Sequence, residues 1–297
     1  MEKQISQQIT LTKPDDASQY LPLIDRADAE PWLFEEISEN SKELFAIRSG
    51  DTVVGLSYIS DEARAFVYVY IFPPYRKQGC GELALIAAEQ QIKTTPLERI
   101  ATAYNSSSAA AKRLSEKHGY VKKYASALME YRGDAFEEPD LPVRKYRDED
   151  FEAAAILSAE AFHVMRLSTG CFPDSVVAQA TEEDRKYCAE NAENEYVVEL
   201  NGEIVGYGAI DGAEIDEVSI KIPHQGKGLG RAFVKFLTNR VLEKGEVPTL
   251  WCVVGNVKAR NLYDSLGYRE VCCDAFAEKN SAHKEPGERT CNMKSNR

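Results

Sequence analysis

Apolar and polar positions along the chain follow two rhythms, one of period two and one near 3.6, and the succession of rhythms occurs twice. Leu44 to Ile59 (LFAIRSGDTVVGLSYI) and Tyr196 to Ile210 (YVVELNGEIVGYGAI) each read as strand, tight turn, strand. The turns are Ser49-Gly50-Asp51 and Asn201-Gly202-Glu203, and Asn-Gly between apolar runs is a strong hairpin signal. After each hairpin come an extended run, a glycine-bearing turn and a helical run: FVYVYIFPPYRKQGCGELALIAAEQQIK, then EVSIKIPHQGKGLGRAFVKFLTNRVLEK. In the second helical run Ala232, Phe233, Phe236, Leu237 and Val241 keep helical spacing. Each succession closes with another strand, a helix and an aromatic corner, KRLSEKHGYVKK and ARNLYDSLGYREV.

Three landmarks measure the repeat. Val54-Gly55 and Val205-Gly206 are offset by 151 residues, Arg76 and Gln225 by 149, Gly119 and Gly267 by 148. Three landmarks in one order at nearly one offset argue for duplication. The boundary falls at Glu137-Glu138-Pro139-Asp140-Leu141-Pro142, an acidic stretch whose two prolines break helix and strand alike. Beyond it Val143 to Tyr146 restarts the pattern as a strand. An Ala-rich helix over Asp148 to Ala161 follows, with Asp148 as its N-cap. The last polar segment contains RTCNMK, a candidate edge strand.

Composition adds limits. A length of 297 residues suits two domains of ordinary size, and 43% apolar residues suffice for two cores. A net charge of −12 disfavours nucleic acid, which needs clustered Lys and Arg, and leans toward a cationic acceptor. The seven cysteines include no C-x-x-C pair, and Cys272 and Cys273 are adjacent, which suits neither a disulfide nor zinc. A reducing cytoplasm is the expectation. No metal site is expected. MEKQISQQITLTK lacks the apolar segment of a signal peptide, and no apolar run is long enough to span a membrane.

The glycine turns carry the candidate chemistry. In Gln225-Gly226-Lys227-Gly228-Leu229-Gly230-Arg231 the glycines let backbone approach a ligand, and their N–H groups join a helix N-terminus in facing an anion. A pyrophosphate is the natural guest, with Lys227 and Arg231 adding charge. A Walker A loop is excluded because Gly228, not Ser or Thr, follows Gly226-Lys227. A dinucleotide fingerprint fails in the second copy, where Arg231 holds the last position. The first copy, Gly79-Cys80-Gly81-Glu82-Leu83-Ala84, matches it, but the strand-like run Arg99 to Tyr104 ends without the acidic residue such a site needs. A plain tight turn is the competing reading for either loop taken alone.

The pattern Arg/Gln-x-x-Gly-x-Gly/Ala between a strand and a helix resembles the pyrophosphate loop of the GNAT (GCN5-related N-acetyltransferase) superfamily. Gln225 to Gly230 fits it, as does Arg76-Lys77-Gln78-Gly79-Cys80-Gly81. Asn256-Val257-Lys258-Ala259-Arg260-Asn261-Leu262-Tyr263-Asp264-Ser265-Leu266-Gly267-Tyr268 resembles the family's second signature, an Asn-x-x-Ala-x-x-Leu-Tyr helix ending in Leu-Gly-aromatic. The tandem plan is similar to that of mycothiol synthase-like acetyltransferases, though no residue selects that family. The resemblance implies an α/β (mixed α+β) fold class. Each of two tandem domains would be a mostly antiparallel sheet with a splayed central strand pair and flanking helices, the first over 1–138 and degenerate, the second over 143–297 and catalytic. It implies acetyl-CoA as co-substrate and a primary amine of a small molecule as acceptor, with direct attack in a ternary complex.

The resemblance also assigns roles. Val218-Ser219-Ile220 would bind the pantetheine and thioester carbonyl through free backbone groups. Asn256 would contact the pantetheine arm, and Tyr263 would be the general acid. For the base, Glu214, Asp216 and Glu217 all stand ahead of this strand. Glu214 lies eleven residues before Gln225, a spacing similar to that of the base in the histone-acetylating branch, and Glu217 is the second candidate. Period-two alternation puts Glu214, Asp216, Val218 and Ile220 on one face and Glu217 on the other. Each carboxylate also fits a solvated strand entry, and Tyr263 also fits a core position. The first copy has Ser115 where the second has Tyr263, and Ala65 where the second has Glu214. It therefore keeps Arg76, Gly79 and Gly81 for CoA but lacks acid and base. A non-catalytic acyl-CoA sensor or scaffold is the alternative function, and transfer of a longer acyl or an aminoacyl group a third. His118, His163, His224 and His283 are scattered, and Cys80 has no partner base. Trp32 and Phe34 fit a substrate wall or core, and Cys171-Phe172-Pro173 stands where substrate loops lie.

Overall fold

The computed structural model describes residues 8–26, 28–60, 65–92 and 99–280. Both expected hairpins form. After β1 (Ile9–Thr12) and α1 (Trp32–Ser38), β2 (Leu44–Ser49) turns at Gly50 into β3 (Thr52–Ser60). Then come β4 (Ala65–Ile71), α2 (Cys80–Gln91), β5 (Arg99–Asn105), α3 (Ala109–Lys117) and β6 (Val121–Glu130). The second succession is β7 (Val143–Lys145), α4 (Phe151–Ser168), α5 (Glu182–Glu190), β8 (Glu195–Leu200), β9 (Glu203–Asp211), β10 (Glu214–Ile220), α6 (Leu229–Glu243), β11 (Thr249–Val253), α7 (Val257–Leu266) and β12 (Arg269–Asn280). Asn201 and Gly202 take φ of 53° and 79°, the two positive values that a two-residue turn between twisted strands requires.

The compact units differ from the 1–138 and 143–297 limits drawn from the linker. Unit one is the chain up to Lys123 together with the chain from Asp274; unit two is Tyr124–Cys273. The strands of unit one run β1-β2-β3-β4-β5-β12, those of unit two β6-β11-β10-β9-β8-β7. Each repeat thus lends its last strand to the other unit: Asp274–Asn280 of β12 lies antiparallel to β5, and Ser126–Glu130 of β6 antiparallel to β11. An apolar pattern states which face of a strand is buried, not which strand lies beside it. Neighbours are antiparallel except β4–β5 and β10–β11, which are parallel.

Two local expectations change. The helix expected from Asp148 begins with a 3-10 turn at Asp148–Asp150, and α4 runs on to Ser168. Asp148 is not the cap; it forms a two-pronged ion pair with Arg185, while the Asp150 carboxylate accepts the Arg147 N–H at 2.8 Å and pairs with Arg144. The candidate strand RTCNMK and His283 lie outside the described residues. Unit two's core joins Phe233, Leu237 and Val241 of α6 to Ile215, Ile220, Leu250 and Tyr268. Among the described residues, no helix is long and apolar enough to cross a membrane.

Candidate active site

The site of unit two is made by a strand pair that parts. β10 and β11 pair at one register, Glu214 opposite Thr249, and diverge from there. The opening is a cavity of about 1090 Å³. Its walls include Val218, Ser219 and Ile220 of β10, Trp251 of β11, the second half of α4, the loop ahead of α6, and Asn256 and Tyr263. A strand that has left its neighbour exposes unpaired backbone donors and acceptors, which a ligand can take up.

The glycine loop closes one end. Gly226 and Gly228 have φ of 73° and 90°, and a Cβ at either would meet nothing within 4 Å. Backbone conformation, not crowding, therefore demands glycine there, and the open space is left for a guest. Gly228 caps α6, whose first N–H groups have no partner inside the helix. Gly230 and Arg231 line the cavity, whereas Lys227 and Leu229 do not. Gln225 lines it too, but its side-chain N–H donates to the Ile220 carbonyl at 2.9 Å. In unit one Arg76 Nε does the same to the Ile71 carbonyl at 2.8 Å, and its guanidinium pairs with Asp28. Both side chains fasten the loop to the end of its strand. Gly79 caps α2 with φ of 83°, and a Cβ at Gly81 would touch only Ile71 and Leu114 at 3.7 Å.

The carboxylates are rearranged by a feature the alternation could not foresee. Between Ile215 and Glu217 the β9–β10 register slips by one, with Asp216 the extra residue. Glu214 and Glu217, facing Asp211 and Ala209, therefore share a face, which corrects the expected grouping of Glu214 with Val218 and Ile220. Glu217 accepts hydrogen bonds from the Ser158 hydroxyl of α4 and from Ser219 Oγ, the latter at 2.9 Å. Burial pushes its carboxyl up, against the downward pull of both hydroxyls, and Asp216 adds to the rise. Ser219 lines the cavity and Glu217 stands directly behind it. Asp216 lines the cavity, and although the residue is exposed, partial desolvation and then Asp211 raise its carboxyl. Glu214 is not among the lining residues.

Tyr263 forms part of the cavity wall and packs against Tyr268, with ring centroids 5.9 Å apart. Some of the residue's surface is exposed, yet the phenol sits deep enough that desolvation raises it well above the ordinary tyrosine range. It keeps its proton at any working pH. Asn256 is the N-cap of α7, its Oδ1 accepting the Ala259 N–H at 3.3 Å, which leaves its Nδ2 as a donor. Sequence reasoning missed the wall built by Phe162, Met165 and Arg166 of α4, because a helix pattern says which residues are apolar, not what stands opposite them. It also missed Tyr124, which lies ahead of the linker in sequence yet lines this cavity. Among the described residues no group of His, Cys, Asp and Glu could hold a metal ion.

A splayed strand pair, a glycine loop opening a helix and a tyrosine on the cavity wall define a class of acyl-CoA-dependent transferases, and the comparisons agree. Residues 26–132 match the family model described as an acetyltransferase (GNAT) domain, and residues 197–276 match that described as FR47-like protein. The chain is a tandem member of the GNAT superfamily, a family of N-acetyltransferase type whose reaction is acyl transfer and whose domains generally use acetyl-CoA. No curated protein matches the sequence. Among solved structures, a GCN5-related N-acetyltransferase from Sphaerobacter thermophilus is similar at 18% identity and a TM-score of 0.72, over 93% of this chain and 97% of that one. A GNAT-family acetyltransferase from Colwellia psychrerythraea follows at 13% and 0.61, over 92% and 99%. A tandem GNAT protein from the clavulanic acid biosynthesis pathway is similar at 14% and 0.59, over 94% and 99%. At these identities the structures speak for the fold.

Proposed function

We propose that unit two is an acetyl-CoA-dependent N-acetyltransferase that acetylates a primary amine of a small molecule by direct attack in a ternary complex. The observation that carries this reading is the parting of β10 from β11 beyond Glu214 and Thr249, which opens a cavity ending on the Gly226–Gly228 loop. Acetyl-CoA would supply a thioester carbonyl already activated for attack. Gly226, Gly228 and the first turn of α6 hold the pyrophosphate, with Arg231 adding charge. The free edge at Val218, Ser219 and Ile220 aligns the extended arm, and Asn256 Nδ2 donates to it. Glu217 is the favoured base, acting through a water or through the Ser219 hydroxyl to take a proton from the ammonium; Glu214 is the second candidate. Tyr263 holds a proton at Oη for the sulfur. For unit one we propose a structural role.

Calorimetric titration of acetyl-CoA into the full chain tests this, with Gly228→Glu and Gly79→Glu alongside. A side chain at φ of 90° costs about 1–2 kcal/mol, and the added carboxylate repels an anion. Wild type and Gly79→Glu should bind alike, and Gly228→Glu should lose binding. A chain that never binds acetyl-CoA overturns the reading.

A further inference from the structure

We propose that the acceptor taken by unit two carries a carboxylate, set apart from its reacting amine by an apolar or aromatic body, and that Arg166 is the residue that reads the carboxylate. The inference rests on the transferase reading above.

Part of the cavity wall is apolar and ringed. Phe162 and Met165 of α4, Trp251 of β11, and the tilted pair Tyr124–Phe172, with centroids 4.8 Å apart, present flat and polarisable surface. Such a wall suits a ring or an alkyl body and offers little to a hydrated polycation. Set in that wall is Arg166. It is partly buried, its guanidinium is 5.7 Å from the centre of the Phe162 ring, and it makes no ion pair among the described residues. This distinguishes it from Arg144, Arg185, Arg240 and Arg260, each held by a carboxylate. A guanidinium cannot shed its charge, so one kept in an aromatic cavity without a protein partner is built to meet an anion from outside.

A ternary complex offers the phosphates of the co-substrate and any anion on the acceptor, and position separates them. The charged residues lining the cavity are Arg166, Asp216, Arg231 and Lys258. Arg231 sits in the first turn of α6 beside the glycine loop, where a pyrophosphate would lie, and Lys258 in the first turn of α7 beside Asn256, where the pantetheine arm would lie. Arg166 is on α4, the helix that also carries Ser158, the donor to Glu217. The donor to the base and the guanidinium therefore share one helix, Ser158 and Arg166 being eight positions apart, about 12 Å of rise. An acceptor with its amine at Ser219, in front of Glu217, and its carboxylate at Arg166 spans that wall with its apolar body between.

The test is steady-state acetylation of 4-(aminomethyl)benzoate, benzylamine and spermidine by wild type, Arg166→Ala and Arg166→Lys, with acetyl-CoA affinity measured by titration for each. Wild type should favour 4-(aminomethyl)benzoate by about tenfold or more in kcat/KM. Arg166→Ala should remove that preference through KM, leaving benzylamine turnover and acetyl-CoA affinity unchanged, and Arg166→Lys should restore part of it. Preference for benzylamine or spermidine overturns the inference, as does a preference that survives Arg166→Ala. Weakened acetyl-CoA binding in Arg166→Ala overturns it too, by giving the guanidinium to the co-substrate. Binding of acetyl-CoA with turnover of none of the three overturns the acceptor inference and leaves the cofactor site standing. Failure of wild type to bind acetyl-CoA overturns the transferase reading and this inference with it.

Discussion

The two units build the same parting of strands and use it in opposite ways. β4 and β5 pair in parallel at Ala65–Ile100 and Phe66–Ala101, as β10 and β11 do at Glu214–Thr249, and the registers are related by the same offset of 149 residues. In unit two the opening is a cavity. In unit one, aromatic side chains of the chain itself occupy the equivalent strand. Tyr68 stands where unit two has Glu217, and Trp32 of α1 packs edge-on against Tyr58, Phe66 and Tyr68 with centroids 5.2, 6.0 and 4.9 Å away. Tyr70 stands where unit two has Ser219 and donates to Asp28 at 2.7 Å. Glu30 is buried beside them, its carboxyl raised by desolvation and by the neighbouring Asp274. The bulge at Asp216 has no counterpart, since β3 and β4 stay in register from Gly55–Ile71 to Ser60–Phe66. On the structural role proposed for unit one, the strand pair and the glycine turn would be kept there because they also hold the fold together.

The comparison is sharpest at the two helices that follow. Tyr263 lines the cavity; its counterpart Ser115 is buried, with a hydroxyl that has no hydrogen-bond partner among the described residues. Tyr263→Phe should lower kcat by about 10²-fold, the low end for a positioned proton donor, and leave acetyl-CoA affinity intact. Ser115→Ala should leave turnover unchanged and should not destabilise the protein, because it removes an unsatisfied buried group. Rates with each variant and a thermal melt decide this; an unchanged Tyr263→Phe rate removes the tyrosine from the chemistry.

Glu217 gives an effect of similar or smaller size with a pH signature. A base works ionised, and burial raises this carboxyl, so wild-type kcat should fall as pH drops through a value above the ordinary glutamate range of about 4.3. Glu217→Gln should remove that acid limb together with most of the rate. Ser219→Ala deletes a hydroxyl that favours the ionised form, so the limb should move to higher pH. An acid limb that Glu217→Gln leaves in place would assign the titration to Asp216 or Glu214.

Trp32 tests the aromatic cluster of unit one. Trp32→Ala should cost about 3 kcal/mol in a denaturant melt, at the lower end for a large aromatic side chain because the residue is only partly buried. It should create no second acetyl-CoA site by titration, since Ser115 and Tyr68 remain. A second site would mean that the aromatic cluster around Trp32 alone accounts for the difference between the two units.

Much of this was legible in the chain before any coordinates. The hairpins were, because Asn201-Gly202 and Gly50 impose a turn wherever they stand between apolar runs. So was the glycine loop, because a strand, two spaced glycines and an amphipathic helix admit few geometries. The exchange of β6 and β12 was not legible, since strand partners are chosen by tertiary packing that no local pattern encodes. The bulge at Asp216 was not either: one extra residue in a polar strand entry leaves no trace in composition, yet it turns Glu217 toward Ser158. Arg166 was not legible either, since no local pattern says which cation of a helix a cavity will meet.

The smallest expected effect separates capping from binding. Asn256 caps α7 and Ser108 caps α3 in the matching position, with Oγ accepting the Ala111 N–H at 3.3 Å. Asn and Ser cap about equally well, whereas loss of either to Ala costs about 1 kcal/mol. Asn256→Ser, which writes unit one's residue into unit two, should therefore leave the melting temperature almost unchanged. A serine hydroxyl reaches less far than a carboxamide and must serve the cap, so the Nδ2 donor proposed for the pantetheine arm is lost. One neutral hydrogen bond is worth about 1 kcal/mol, which puts the fall in acetyl-CoA affinity at about fivefold by calorimetry. If affinity holds while Asn256→Ala lowers only the melting temperature, Asn256 is a cap in both units, and the difference between them narrows to the strand, the bulge and Tyr263.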